Sequence, residues 1–149
     1  MAFRYKFEQL LRLAQHEEDE VKTRLAKKEA QVAEVEMEIS RGQAQFELAL
    51  EEKTADLIAG RMERLSMYFA YLTRLEKAKA FFQEERDRLV QQRDKILAEL
   101  AEKRRVRKIY ERLRERHQAV YRKNELKKDQ KQMDEFAVRA GNKRLGGEP

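Results

Sequence analysis

The sequence contains almost none of the residues that interrupt helices or carry reactive chemistry. Its 149 residues include no cysteine, no tryptophan, five glycines and a single proline, which is the last residue, Pro149. Glycine and proline form the turns between short strands, so their scarcity excludes a sandwich, a barrel or a doubly wound sheet. The absence of cysteine excludes disulfides, thiol nucleophiles and thiolate metal sites, and it fits a cytosolic chain.

Long apolar runs are also missing. No segment approaches the roughly 18 apolar residues of a membrane span, and the first seven residues lack the apolar core and cleavage site of a signal peptide. Charged residues make up 42% of the chain, which would be compatible with disorder, but Leu, Ile, Val and Phe recur periodically. This composition predicts long helices or a coiled coil.

Charge is distributed unevenly along a chain whose net charge is +6. Residues 1–60 carry 9 basic and 13 acidic side chains, residues 61–102 carry 9 and 8, and residues 103–149 carry 16 and 7. Opposite charges on facing helices favour their pairing within one hairpin. The strongly basic end favours an acidic partner.

The first half carries a heptad pattern, with inward positions at alternating intervals of four and three residues. Ten of these thirteen positions hold Ala or a larger apolar residue, so the pattern predicts a helix that packs along one narrow stripe. We expect the charged exceptions to reach outward or to meet a polar partner, and Gly42 to be a weak point, a bend or a close approach. The positions are Phe7, Leu11, Ala14, Glu18, Val21, Leu25, Lys28, Val32, Val35, Ile39, Gly42, Phe46 and Ala49.

Gly60 marks the one break in the pattern, because glycine is a common helix terminator. A second series of apolar residues at heptad spacing follows Gly60. After Lys103 this series continues in a shifted phase, which is typical of a stutter in a coiled coil. The series consists of Leu65, Tyr68, Leu72, Leu75, Phe82, Leu89, Ile96 and Leu100, then Val106, Tyr110, Leu113 and Val120.

These patterns predict an all-α protein, a single long two-helix antiparallel coiled-coil hairpin with a projecting C-terminal helix. Helix one is expected at about 3–57, the turn at about 58–62, helix two at about 62–140 and a flexible basic tail at 141–149. Residues beyond about 118 have no partner in this arrangement. The alternative is a continuous rod that dimerises.

No combination of residues predicts an enzyme. His16 and His117 lie among charged helical residues and far apart, and neither has a second ligand four residues away. There is no glycine-rich phosphate loop, and Ser40 and Ser66 have no base nearby in sequence. We therefore expect no catalytic, cofactor or metal site and no small-molecule substrate.

Two regions have the composition of protein-binding surfaces. Residues 62–82 are rich in Met, Phe and Tyr, which leaves two interpretations: Phe69, Tyr71 and Phe81 are exposed near the turn as a docking surface, or the turn end is thicker and buries them locally. Residues 103–131 carry 13 basic and 4 acidic residues but no nucleic-acid recognition motif, which favours an acidic protein partner over nucleic acid.

Three stretches give the chain a resemblance to a known family. Residues 129–140 read DQKQMDEFAVRA, residues 7–13 read FEQLLRL, and the turn region combines Ala59-Gly60 with Tyr68, Tyr71 and residues 75–78, LEKA. The first closely resembles the C-terminal signature of the FliJ family, small coiled-coil proteins of the flagellar type III export apparatus, and the others are similar to that family's N-terminal and turn patterns. The heptad parts are generic, so the C-terminal run is the specific part.

The resemblance implies a non-enzymatic protein like the central stalk of rotary ATPases. It implies binding to the hexameric export ATPase, which it helps to assemble and activate, to the cytoplasmic domain of the export gate, and to export chaperones. It also implies a cytoplasmic location, peripheral at the inner-membrane export apparatus through these partners. The alternatives are a homodimeric scaffolding coiled coil and the equivalent stalk of a virulence secretion system.

The resemblance also suggests two sets of binding residues. The set for the export gate is Tyr68, Tyr71, Leu75, Ala78 and Phe82 from helix two, with Phe46 and Leu50 from helix one. The set for the ATPase is Lys127, Lys131, Met133, Phe136 and Arg139 near the C-terminus, with Phe7 and Leu11 from helix one.

Overall fold

The computed structural model describes residues 2–145 and consists of two helices that pack against each other. Helix α1 spans Glu8–Ile58 and helix α2 spans Leu65–Leu145, and the described residues contain no strand. The predicted all-α hairpin is confirmed. Its helices divide into a turn unit, Glu18–Glu102, and a terminal unit, Met1–Glu17 with Lys103–Pro149.

The turn unit is held together by the heptad stripes of both helices. Its buried apolar side chains are Val21, Val32, Ala49, Tyr68, Leu72, Leu89 and Leu100. Two polar contacts join the helices in antiparallel order: Arg24 of α1 bonds to Glu99 of α2, and Lys79 of α2 donates to Gln43 Oε1 of α1 at 2.9 Å. The predicted inward positions of helix one are all buried or half-buried.

The charged exceptions in the stripe behave as expected. Glu18 is only 2% exposed, and its Oε1 lies 3.3 Å from Nζ of Lys22, four residues later on the same helix. Lys28 is half-buried and donates to Gln31 Oε1 at 3.3 Å. Each charge therefore has a polar partner at the margin of the seam, which reduces the cost of burying it.

The hairpin turn follows from the geometry of Gly60. Its φ is +73°, a conformation that side chains with a Cβ rarely adopt. The amide of Gly60 donates to the carbonyl of Leu57 at 3.2 Å, and the amide of Arg61 donates to that of Asp56 at 2.8 Å. This pair of bonds is the Schellman motif that ends many helices. Helix α2 begins at Leu65, so the turn is slightly longer than predicted.

Two glycines in this hairpin are expected to respond in opposite ways to alanine. Gly60→Ala places a Cβ in the left-handed region and should lower the free energy of unfolding by about 1–2 kcal/mol. Gly42→Ala lies within α1, where an added Cβ meets no atom within 4 Å, and should raise it by about 1 kcal/mol through helix propensity. Urea unfolding followed by circular dichroism measures both, and shifts of the same sign would contradict the assigned backbone conformations.

In the terminal unit the chain begins without a helix. Helix α1 starts at Glu8 rather than near residue 3. Phe3, Tyr5 and Phe7 alternate with basic residues, and Lys6 and Phe7 form a turn in which the amide of Glu8 donates to the carbonyl of Tyr5 at 3.2 Å. The Tyr5 hydroxyl donates to the backbone carbonyl of Tyr110 at 2.9 Å, and the Phe3 ring lies 5.5 Å from that of Tyr121. We call Phe3, Tyr5 and Phe7 the aromatic clasp.

The aromatic clasp corrects two sequence-based expectations. His117, placed among charged residues, lies with its ring 5.6 Å from Tyr5 and 6.2 Å from Phe7. Val120, placed on the apolar stripe, is 57% exposed. In this unit Tyr110, His117 and Tyr121 form the inward face of α2, because the clasp residues contact them.

Beyond the clasp, α2 continues as a helix without a covering partner. All side chains from Leu126 to Arg144 are exposed, which confirms the predicted projecting helix. It begins later than the predicted residue 118, because Tyr121 still contacts Phe3. Residues 141–145, expected to belong to a flexible tail, are helical, and residues 146–149 lie outside the described residues. Neither described helix contains a stretch long and apolar enough to cross a membrane.

Candidate protein-binding surfaces

Many polar side chains of the two helices form ion pairs and helix-surface contacts. Within residues 2–145, no three His, Asp or Glu side chains cluster where they could hold a metal ion. Lys103 pairs with Glu17 at 2.9 Å, and Arg114 lies 3.9 Å from Glu8. The candidate sites considered below are surfaces on which another protein can pack.

Tyr68, the first residue of the predicted gate set, lies in the first turn of α2 and contacts the end of α1. It is 9% exposed, and its hydroxyl donates to Asp56 Oδ2 at 2.9 Å. The other oxygen of Asp56 lies 3.5 Å from Arg61 Nη2. One carboxylate thus joins the end of α1, the turn and the start of α2, and it leaves little of the Tyr68 ring for a partner.

The Tyr68–Asp56 hydrogen bond predicts a stability difference that depends on pH. The bond holds the proton on Tyr68 and raises its pKa above 10.0, so its stabilising contribution is complete below that value and is lost as pH rises through the folded pKa. Tyr68→Phe should therefore lower the melting temperature at pH 8, and the difference from the unmodified protein should shrink by pH 11. A difference that stays constant over this range would rule out a role for the bond.

Four of the seven predicted gate residues line two grooves in the turn unit. One groove, of about 230 Å³, includes Phe46, and the other, of about 290 Å³, includes Ala78 and Phe82. Both grooves are also lined by Gly42, Leu75 and Lys79.

The other predicted gate residues lie outside these grooves. Leu50 is 43% exposed and Tyr71 is 39% exposed, so both remain accessible on the surface, whereas Tyr68 is buried at the start of α2. The predicted exposure of Phe69 and Phe81 is confirmed at 52% and 61%. The sequence analysis missed that Lys53 covers the Phe69 ring at 3.9 Å. The pattern of α1 alone does not show this contact, because the two residues come from different helices.

The predicted ATPase residues divide into buried and exposed members. Leu11 is 2% exposed and Phe7 is half-buried in the aromatic clasp, so both belong to the packing of the terminal unit. Met133 and Phe136 are 74% and 76% exposed. Together with Asp129 and Gln132 they form an open, partly apolar surface on one side of α2. Lys127, Lys131 and Arg139 are exposed as well.

The exposed residues of the predicted ATPase set are distributed around the axis of α2 instead of lying on one face. At about 3.6 residues per turn, Leu126, Met133, Ala137 and Ala140 follow one stripe with Phe136 beside it. We call these five residues the C-terminal stripe. Lys127 and Lys131 are four residues apart on a different side of the same helix. A partner that contacts all of these residues must enclose the helix.

Comparison with known proteins identifies a family. The sequence model of the FliJ family, described as "Flagellar FliJ protein", matches residues 3–146. No match was found among curated proteins or among solved structures.

Proposed function

This chain belongs to the FliJ family of flagellar proteins, and from that membership we propose that it binds the hexameric export ATPase as a central-stalk-like coiled coil. The family is a non-catalytic component of the flagellar export apparatus. Assembly and activation of the ATPase, contact with the cytoplasmic domain of the export gate and transport of export chaperones are further parts of the proposal. They place the protein at the inner membrane through its partners.

The observation that carries the proposal is the uncovered end of α2. Its residues 126–144 are exposed on every side, while apolar and basic residues are distributed around its axis. A flat partner contacts one side of such a helix, whereas the interior of a ring contacts all of them. Burial of the C-terminal stripe would provide affinity, and acidic groups in the ring would pair with the lysines.

The export gate is assigned to the turn unit because the two grooves there bring together apolar residues from both helices. Phe46 comes from α1, and Leu75, Ala78 and Phe82 come from α2. Such a shared surface exists only when the hairpin is folded, which makes it specific for the paired helices. Chaperone binding is proposed from family membership alone, and no residue is assigned to it.

The alternatives are less well supported. A scaffolding dimer through the heptad seam needs apolar stripes that are already covered within one chain, so we expect the mass of a single chain in solution. Nucleic acid is disfavoured because several basic residues of 103–131 pair with carboxylates, for example Lys103 with Glu17 and Arg107 with Glu111. The matched family is flagellar, which favours flagellar export over a virulence system.

The test is a titration of this chain into the purified export ATPase. We expect ATP hydrolysis and hexamer formation, followed by phosphate release and by sedimentation, to increase together and to saturate near one chain per ring. Bovine serum albumin at equal concentration controls for non-specific stabilisation of the enzyme. If hydrolysis and assembly stay constant across the series, the proposal is wrong.

A further inference from the structure

The last part of α2 carries an apolar stripe that no other described part of the chain covers. The three large members of the C-terminal stripe, Leu126, Met133 and Phe136, are at least 70% exposed, and its two alanines are exposed as well. At about 100° per residue, the stripe lies on the side of α2 that points away from Tyr121, where the aromatic clasp packs. A second helix can therefore lie along the stripe without displacing the clasp.

The spacing of the stripe is that of a coiled-coil seam. Leu126, Met133 and Ala140 repeat every seven residues, and Gln130 and Ala137 follow the first two at a distance of four. Alternation of four and three residues keeps one narrow side of a helix facing a partner. The exposed end of α2 thus repeats, on its outer side, the pattern by which α1 and α2 pack.

The charges beside the stripe determine which partner fits and in which direction it runs. Lys127 and Asp134 each directly follow an inward position, and neither forms an ion pair with another of the residues 2–145. If two copies pair in antiparallel order, Lys127 of each copy faces Asp134 of the other, so two symmetric ion pairs form. In a parallel pair, Asp129 of one copy lies beside Asp134 of the other, and these like charges repel.

The same antiparallel register aligns the apolar residues. When the two helices cross between residues 131 and 132, Leu126 of one copy lies opposite Ala137 of the other, and Met133 lies opposite Gln130. Each large stripe residue then packs against a smaller or flexible one, and its burial stabilises the pair. Apolar burial and charge pairing therefore favour one and the same register.

We propose that two copies of this chain pair through the ends of their α2 helices, residues 123–140, as an antiparallel coiled coil. The paired segment is about 27 Å long, and so small an interface gives a transient dimer with a Kd on the order of 100 µM. Below this concentration the protein is a single chain, as its covered heptad seam requires. The net charge of +6 on each copy opposes pairing, but salt at 0.15 M screens that repulsion beyond about 8 Å.

The dimer covers the C-terminal stripe that the export ATPase is proposed to bind, and this consequence rests on the proposed function. A second copy contacts one side of the helix, whereas the interior of a ring contacts every side. Lys131 and Arg139 lie outside the dimer seam, so the ring makes contacts that the second copy does not. The ATPase therefore displaces the second copy, and pairing keeps the stripe from solvent until it does.

Charge reversal tests the pairing in the full chain. Sedimentation equilibrium from about 10 µM to about 1 mM should show the unmodified protein passing from one chain to two. Lys127→Glu and Asp134→Lys each bring like charges together, and each should associate at least about tenfold more weakly. An equimolar mixture of the two variants should dimerise again, because both ion pairs are restored with reversed polarity.

Lys128→Glu is the matched control, because it makes the same charge change at an exposed position on the opposite side of the helix. It should dimerise as the unmodified protein does. All three substitutions are at exposed helical positions and should leave the melting temperature unchanged. A single-chain mass of the unmodified protein at every concentration would overturn the proposal, and so would unchanged self-association of Lys127→Glu or Asp134→Lys.

Introduced cysteines test the register, because the natural chain contains none. Leu126→Cys and Ala137→Cys face each other in the antiparallel pair, so oxidation of their mixture should link one variant to the other. Neither variant alone should form a linked dimer, since its two sulfurs are about 16 Å apart along the axis, beyond the reach of a disulfide. Linkage of each variant to itself is the result of a parallel pair and would overturn the proposed register.

The linked dimer also separates the pairing from the proposed function. It should not stimulate the export ATPase, and a reducing agent should return stimulation to the level of the separate reduced variants. Equal stimulation before and after reduction would show that pairing does not block the ATPase. If the unmodified protein fails to stimulate as well, the proposed function is wrong, while a dimer found by sedimentation stands.

Discussion

Replacing Met133 and Phe136 together by aspartate is expected to abolish stimulation of the export ATPase while leaving the unfolding of the hairpin unchanged. Both side chains are about three-quarters exposed, so the fold gains little from them. In the proposed complex they are the bulkiest apolar contacts of the C-terminal stripe, and two carboxylates in their place would be buried without partners. The affinity should fall by about a hundredfold or more. Phosphate release and the melting temperature measure the two effects.

The control for this variant changes charge by the same amount outside the proposed contact. Ala26→Asp with Ala30→Asp adds two negative charges at exposed positions of α1. It should retain most of the stimulation. Equal losses in the two double variants would show that net charge decides binding, and full stimulation by the Met133 and Phe136 variant would remove the stripe from the ATPase contact.

Replacing Leu11 by alanine is expected to cause the largest loss of stability among single substitutions in the terminal unit. Leu11 is 2% exposed, and truncating a fully buried leucine costs about 2–5 kcal/mol through lost burial and the cavity left behind. Leu13→Ala is the matched control, because Leu13 is 52% exposed and should cost less than about 0.5 kcal/mol. Guanidinium unfolding measures both changes.

The position of Leu11 also predicts which part of the hairpin loses stability. Leu11 and Tyr110 belong to the terminal unit and Leu72 belongs to the turn unit. Hydrogen exchange in Leu11→Ala should become faster around Tyr110 and stay slow around Leu72, because contacts in a helical hairpin are local along its length. Equal acceleration in both regions would show that the two units unfold together.

The fold was predictable because one physical signal dominates the sequence. The heptad interval specifies which residues of each helix face inward. Gly60 separates the heptad pattern of the first helix from that of the second. The departures occur where another effect outweighs that signal. Phe3, Tyr5 and Phe7 precede α1 and their rings pack as the aromatic clasp instead of extending the helix. His117 and Tyr121 replace Val120 on the inward face because they contact the rings of that clasp.

The candidate sites were less predictable because they depend on contacts between helices. Spacing along α2 identified Leu75, Ala78 and Phe82, which do line one groove. It could not reveal that Tyr68 donates to Asp56, since the two residues come from different helices. Exposure of Met133 and Phe136 was correctly inferred from the missing partner of α2. Which proteins bind these residues stays a prediction.

The aromatic clasp determines where a reporter can be attached. The Phe3 ring lies 5.5 Å from Tyr121, so a fluorescent protein fused ahead of Phe3 would sit close to the helix that is proposed to enter the ATPase. Its bulk would obstruct entry even if every contact residue were intact. Residues 61–64 of the turn are exposed and lie outside both helices, and a small tag inserted there allows tracking in living cells without that obstruction.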